Sequence, residues 1–263
     1  MNTHKTITSL TNPSVKRVVQ LRDRPKRAKQ CLTVVEGQRE IGQAITAGFE
    51  FEEIFFVPSV LKDKRFISQV DRINGQVYEV TKSVMEKMAY GQRNESVLGV
   101  CVPKQQTFEH ISLSTPPLVV IVEQVEKPGN LGAILRTCDG AGVDGVVICD
   151  GKTDLYNPNV IRSSLGAVFT LPVIQAGNDD TLEFIRKHKL RVCAAVPDAK
   201  EDYAKSNLTG ALALVVGSED KGLTPFWQKN ADVTARIPMR GAVDSLNVSA
   251  AAAIMLYEIL RQR

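Results

Sequence analysis

Short apolar runs recur along the second half of the chain, and helical spacings fill the gaps between them. The runs at 118–122 (LVVIV), 143–149, 191–196, 212–216 and 233–237 predict strands. Most are dense in Val, Ile, Leu or Ala and lack polar alternation, as strands buried on both faces require. Between them, apolar positions three and four apart predict helices over 131–141, 158–165, 180–188, 224–230 and 249–261. The alternation predicts an α/β fold, a mostly parallel sheet with helices on both faces. In such sheets the ligand loops gather at the carboxyl ends of the strands.

The first hundred residues predict a smaller α/β/α layer domain over 1–106. Asn12 and Pro13 suit the start of a helix, with Val15, Val18, Val19 and Leu21 on its apolar side. Pro25 is expected to end it. Strands follow at 31–36, 53–57, 77–80 and 97–102, with helices at 37–47, 65–73 and 81–88. Residues 103–117 lose periodicity and close on two prolines, so a linker is expected at 107–117 and a second domain at 118–263.

Composition narrows the class. With 43% apolar and 24% charged residues, the 263-residue chain reads as globular. No apolar run approaches the ~20 residues that span a bilayer, and the first residues lack the apolar core of a secretory signal. A cytoplasmic protein with no membrane partner is expected. The five cysteines are scattered without CxxC spacing, which argues for reduced thiols and against a zinc site.

Charge is unevenly placed. Residues 1–110 hold 17 Lys and Arg against 12 Asp and Glu, and the remainder 16 against 17. Residues 12–30 concentrate the excess: Lys16, Arg17, Arg22, Arg24, Lys26, Arg27 and Lys29 face a single acid, Asp23. Charge runs are often plain solvated surface, but one this one-sided suits phosphate contact with RNA. Arg22, Arg24, Lys26 and Arg27 are the expected contacts, with Arg39 and Arg93 as further candidates.

Three polar stretches follow predicted strands. The first, NLGAILRT at 130–137, places Leu131, Ile134, Leu135 and Cys138 on one buried helix face, leaving Asn130 and Arg136 off it. Asn130 could equally cap that helix. In the second, LVVGSEDKGLTPFW at 214–227, Gly217 lets the backbone approach a ligand with no Cβ in the way. Glu219 is either a site residue or a simple loop carboxylate. Thr224 and Pro225 suit a helix start. The third, at 237–249, supplies Ser245, Asn247 and Ser249 as short hydrogen-bonding groups. It leads into a helix opened by four alanines, 250–253, which permit very close packing. None of the three histidines lies within these stretches, which disfavours histidine acid–base chemistry and a histidine-held metal. A GxGxxG after an early strand and a P-loop are both absent, so a dinucleotide or nucleoside triphosphate site is not expected.

In this order, Asn-x-Gly-x-x-x-Arg (Asn130, Gly132, Arg136), Gly-x-Glu-x-x-Gly (Gly217, Glu219, Gly222) and Ile-Pro followed by Ser-Leu-Asn-Val-Ser (Ile237, Pro238, 245–249) resemble the motifs of the SpoU-type RNA 2′-O-methyltransferases of the SPOUT class. Each pattern alone is weak; three in order are not. The resemblance implies a trefoil-knotted C-terminal domain, S-adenosylmethionine as cofactor, and a homodimer through that domain. It implies a catalytic group of Arg136, Asn130, Glu219, Ser245 and Asn247, with Arg136 on the ribose 2′-hydroxyl. Arginine's pKa makes a neutral guanidine base rare, so phosphate binding and alkoxide stabilisation is the more conservative role. It further implies that main-chain groups at Ile237 and Leu246 hold adenine, and that Val196, Gly217 and Ser249 complete the cofactor contacts. Residues 32–44 resemble the start of a ribosomal-protein-like RNA-binding domain, which favours ribosomal over transfer RNA. A non-catalytic RNA-binding or assembly factor on the same fold is the alternative. A housekeeping role and an antibiotic-resistance role both remain open.

Overall fold

A computed structural model describes residues 4–90, 96–151 and 153–263; Arg93 lies outside them. The chain divides into two units, Met1–Lys104 with Asp154–Thr170, and Gln105–Thr153 with Leu171–Arg263.

The first unit runs β1 (Lys5–Ile7), α1 (Pro13–Gln20), α2 (Arg24–Gln30), β2 (Thr33–Glu36), α3 (Gln38–Thr46), β3 (Phe51–Phe56), α4 (Lys64–Val70), β4 (Gln76–Val80), α5 (Lys82–Met88) and β5 (Val97–Cys101). Its five strands form one sheet in the order β1-β4-β3-β5-β2, parallel as far as β3 and antiparallel from there. Asn12 caps α1 by accepting from the Ser14 N–H at 2.9 Å. The apolar side of α1 packs as its spacing predicts, with Val15, Val18 and Leu21 fully buried.

Pro25 does not end α1. That helix stops at Gln20, and Pro25 sits in the first turn of α2. An N–H in the first turn has no intrahelical partner, so proline's lack of one costs nothing there.

The second unit begins with β6 (Leu118–Glu123), α6 (Pro128–Ala141) and β7 (Gly145–Cys149). The next helix was expected over 158–165 as cover for this unit's sheet. It is instead two short helices of the first unit, α7 (Pro158–Ser163) and α8 (Ala167–Thr170), broken where Leu165 and Gly166 take positive φ. Aromatic packing explains the placement: Phe49 meets Tyr156 and Phe169 edge-on at 5.9 and 4.9 Å, and the Thr33 hydroxyl donates to the Tyr156 carbonyl.

The second unit then continues through β8 (Val173–Ala176), α9 (Asn178–Lys187), β9 (Arg191–Ala195), β10 (Glu201–Asp202), β11 (Leu212–Val216), α10 (Pro225–Lys229), β12 (Val233–Arg236) and α11 (Val248–Gln262). Its seven strands pair in the order β10-β12-β9-β11-β6-β7-β8, all parallel. Strands β1, β8 and β10, of three, four and two residues, were not expected; pairing with neighbouring strands defines them.

Residues 107–117, expected as a linker, pack into this second unit. Ile111 joins its core, and Phe108 stacks on Phe184 at 4.7 Å. Helix α11 packs on α6 and β11, with Ala252, Met255, Leu256 and Ile259 fully buried. The Gln262 amide exchanges hydrogen bonds with the 206–208 backbone, and the Arg263 guanidinium donates to the carbonyls of Pro116, Pro117 and Gly210.

Candidate active site

The chain order reverses between β6 and β11, and ligand crevices in open parallel sheets form at such a switch point. Four neighbouring strands, β12-β9-β11-β6, therefore deliver their carboxyl ends side by side. Ile237 follows β12, Val196 follows β9, Gly217 follows β11, and Glu123 closes β6.

A cavity of about 580 Å³ opens among the first of these ends and the 237–246 segment. It is lined by Val196, Ile237, Ser245 and Leu246, four of the expected residues, together with Met239 and Val243. Asp198, Arg236 and Asp244 also line it, so the cavity offers apolar surface for a flat ring and polar groups for its substituents. Gly217 and Ser249 are not among the lining residues. Ser249 spends both its N–H and its hydroxyl on the Asn247 Oδ1, at 3.0 and 2.6 Å, and so builds the cap of α11.

The first and third polar stretches meet. Asn247 Nδ2 donates to Asn130 Oδ1 at 3.2 Å. Asn130 does not cap α6: the helix starts at Pro128 behind Lys127, so Asn130 lies inside its first turn. Freed from capping, its side chain turns to the site. Its Nδ2 is buried and has no hydrogen-bond partner, and neither has Glu219 Oε1. Leaving such atoms unpaired costs roughly 1–3 kcal/mol each. Asn130 thus keeps an open donor and Glu219 an open acceptor, each able to take a polar partner.

Arg136 stands on α6, away from the face buried by Leu131, Ile134, Leu135 and Cys138. It is exposed, and among the described residues no group pairs with it. Thiol chemistry has no place here. Burial pushes Cys149 and Cys193 up to about 12 and raises Cys138 further. Among the described residues, no cluster of His, Cys, Asp and Glu could hold a metal ion, and no helix is long and apolar enough to cross a membrane.

The turn after β11 is tightly made. Ser218 and Gly222 exchange backbone hydrogen bonds of 3.2 and 3.0 Å around Glu219. Thr224, expected as a helix cap, makes no capping bond; its hydroxyl and N–H both donate to Glu123, each at 2.7 Å. The sequence reading missed Glu123. An acid closing the otherwise apolar run LVVIVE was the available signal.

The basic residues at 22–27 belong to the first unit. Arg24 and Lys26 are exposed, as is Arg39. Arg27 is not a surface contact: it is 5% exposed, it pairs with Asp154 at 2.7 Å, and it donates to the carbonyls of Leu21 and Arg22. Arg22 is likewise committed, donating to the carbonyls of Lys87 and Ala89.

Residues 117–257 match the SpoU rRNA Methylase family, and residues 12–99 match the MRM3-like substrate binding domain. The chain is 32% identical over 218 residues to the 23S rRNA (guanosine-2′-O-)-methyltransferase RlmB of Haemophilus ducreyi, covering 79% of this chain and 89% of that protein. A crystal structure of an RNA 2′-O ribose methyltransferase superposes with a TM-score of 0.85 at 36% identity, over 98% of both chains. An AdoMet-bound rRNA methyltransferase from Sinorhizobium meliloti superposes with a TM-score of 0.88 at 29% identity, over 98% of this chain and 97% of that one. The match covers more than half of the sequence and takes in every one of the strand ends that build the site, so the chain belongs to the SpoU rRNA methylase family.

Proposed function

We propose that this protein transfers a methyl group from S-adenosylmethionine to a ribose 2′-hydroxyl of ribosomal RNA. The observation that carries the reading is the meeting of Asn247 with Asn130, beside a cavity lined by Val196, Ile237 and Leu246. The residues fit the cofactor: Val196, Ile237, Met239 and Leu246 offer apolar surface for a ring, and Asp198, Asp244 and Ser245 offer polar partners in the same cavity. S-adenosylmethionine supplies an electrophilic methyl group on a sulfonium centre.

The chain's own residues do the rest. Backbone at Ile237 and Leu246, with Val196 beside it, holds the adenine end, and Gly217 adds a cofactor contact from the turn after β11. Ser245 and Asn247 fix the loop, and Asn247 also holds Asn130. Glu219 orients Asn130 or the ribose. Arg136 binds a phosphate of the RNA and stabilises negative charge as it grows on the 2′-oxygen.

The first unit, Met1–Lys104 with Asp154–Thr170, binds the RNA, and the second, Gln105–Thr153 with Leu171–Arg263, carries the chemistry. The catalytic domain is knotted, α11 being threaded through a loop, a reading that rests on the three-motif resemblance and the family match. It pairs with a second copy. Tyr257, 56% exposed on the helix that packs against α6, suits such a contact, and a single-chain mass by sedimentation would remove the assignment. The protein works in the cytoplasm, where its RNA is.

Arg24, Lys26 and Arg39 contact RNA phosphates. The family description and the rRNA-methylating relative favour ribosomal over transfer RNA. The test is 2′-O-methyl mapping of ribosomal RNA after incubation with the protein and S-adenosylmethionine. One protected ribose is expected, and no new mark in any ribosomal or transfer RNA overturns the reading. Neutralising Arg24 and Lys26 together should weaken RNA binding and lower its salt slope by roughly 2. An unchanged slope removes them.

A further inference from the structure

Glu123 is a buried carboxylate outside the three motif stretches. It is 0% exposed, and none of the ion pairs among the described residues includes it. Its Oε2 accepts from the Thr224 N–H and its Oε1 from the Thr224 hydroxyl, both at 2.7 Å, while Asn178 Nδ2 lies 3.5 Å from Oε1. Asn178 is itself fixed, donating to Asp150 at 2.9 Å and accepting from the fully buried Trp227 at 2.8 Å.

Burying a carboxylate without a cation is costly, even when neutral donors surround it. What the arrangement secures is the turn that carries Glu219. One end of that turn leaves β11, whose Val216 is in register with Val122 of β6. The other end is Thr224, held by the next residue of β6. Both ends of the turn are thus tied to one strand end, and Gly217 packs against Gly222 between them.

We propose that Glu123 is a positioning residue for methyl transfer: by clamping Thr224 it sets the Gly217–Gly222 turn and aims Glu219 into the site. The proposal rests on the methyl-transfer reading. A wild type that transfers no methyl sinks that reading first, whereas an active wild type with the wrong coupling sinks this proposal alone.

The experiment is a double-mutant cycle on the full chain with ribosomal RNA, using Glu123→Asp, Glu219→Ala and both together. Aspartate keeps the charge but is one methylene too short to reach Thr224. We expect Glu123→Asp to lower kcat about tenfold with KM for RNA within about twofold, and Glu123→Gln, which keeps the length, to recover most of the rate. We expect the double variant to fall no further than Glu219→Ala alone, because the shorter acid acts through Glu219. Additive losses, or a wild-type rate in Glu123→Asp, overturn the proposal. If Glu123→Asp fails to fold, Thr224→Val enters the same cycle, since it removes only the hydroxyl bond, and the same two outcomes decide.

Discussion

Replacing Arg136 with alanine is expected to cost about a hundred- to a thousandfold in kcat, with cofactor affinity and folding left intact. The side chain is exposed and pairs with nothing in the described fold, so its loss removes no packing and no ion pair. Surface changes of that kind move stability by roughly 0.5 kcal/mol or less. A guanidinium held ready on a rigid fourteen-residue helix, with no protein partner, is available for RNA. Its donors form a planar fork that matches a phosphate at two points, which an ammonium cannot do, so Arg136→Lys should recover little of the rate. Single-turnover methyl transfer to ribosomal RNA, with calorimetry of S-adenosylmethionine binding on the same samples, separates the terms. A full rate in Arg136→Ala would take the residue out of the chemistry. A lost cofactor affinity would place it in the wrong half of the site.

The centre of the second unit's sheet was readable because β6, β7 and β11 are buried on both faces and so are written as unbroken apolar runs. β6, β7, β9, β11 and β12 all stand within a residue or two of the runs that predicted them. The strands the sequence concealed are short, and their partners, not their own pattern, decide that they are strands. Proline misled at Pro25 because it suits a helix's first turn as well as its end. Charge misled at Arg27, since a basic run does not say which member turns inward; that depends on Asp154, far along the chain. Asn130 shows the same limit at the site. The motif named the residue, but its freedom to meet Asn247 follows from a helix that starts three residues earlier than a cap at Asn130 would allow. Local pattern set the elements, while long-range pairing decided which polar atoms were left open.

The other large effect is expected at Gly217. A Cβ built there would lie 2.3 Å from the Gly222 carbonyl carbon, 2.4 Å from its oxygen and 2.5 Å from the Leu223 nitrogen. All three are backbone atoms, so no rotamer change can make room, and the turn itself has to open. Opening it breaks the paired Ser218–Gly222 hydrogen bonds, frees Glu219, and strains the Thr224 bonds to Glu123. Gly217→Ala should therefore destabilise by about 1–3 kcal/mol, in the range of other overpacking changes. It should also cut S-adenosylmethionine affinity at least about tenfold, or roughly 1.4 kcal/mol. Gly129→Ala is the matching control: its Cβ would meet nothing within 4 Å, and alanine favours the helix it lies in. That variant should fold at least as stably as the natural protein and bind cofactor equally well. Calorimetry and thermal melts on the pair decide the matter. If Gly217→Ala melts lower yet binds S-adenosylmethionine as tightly as the natural protein, the turn is packing alone, and Gly217 has no part in holding the cofactor.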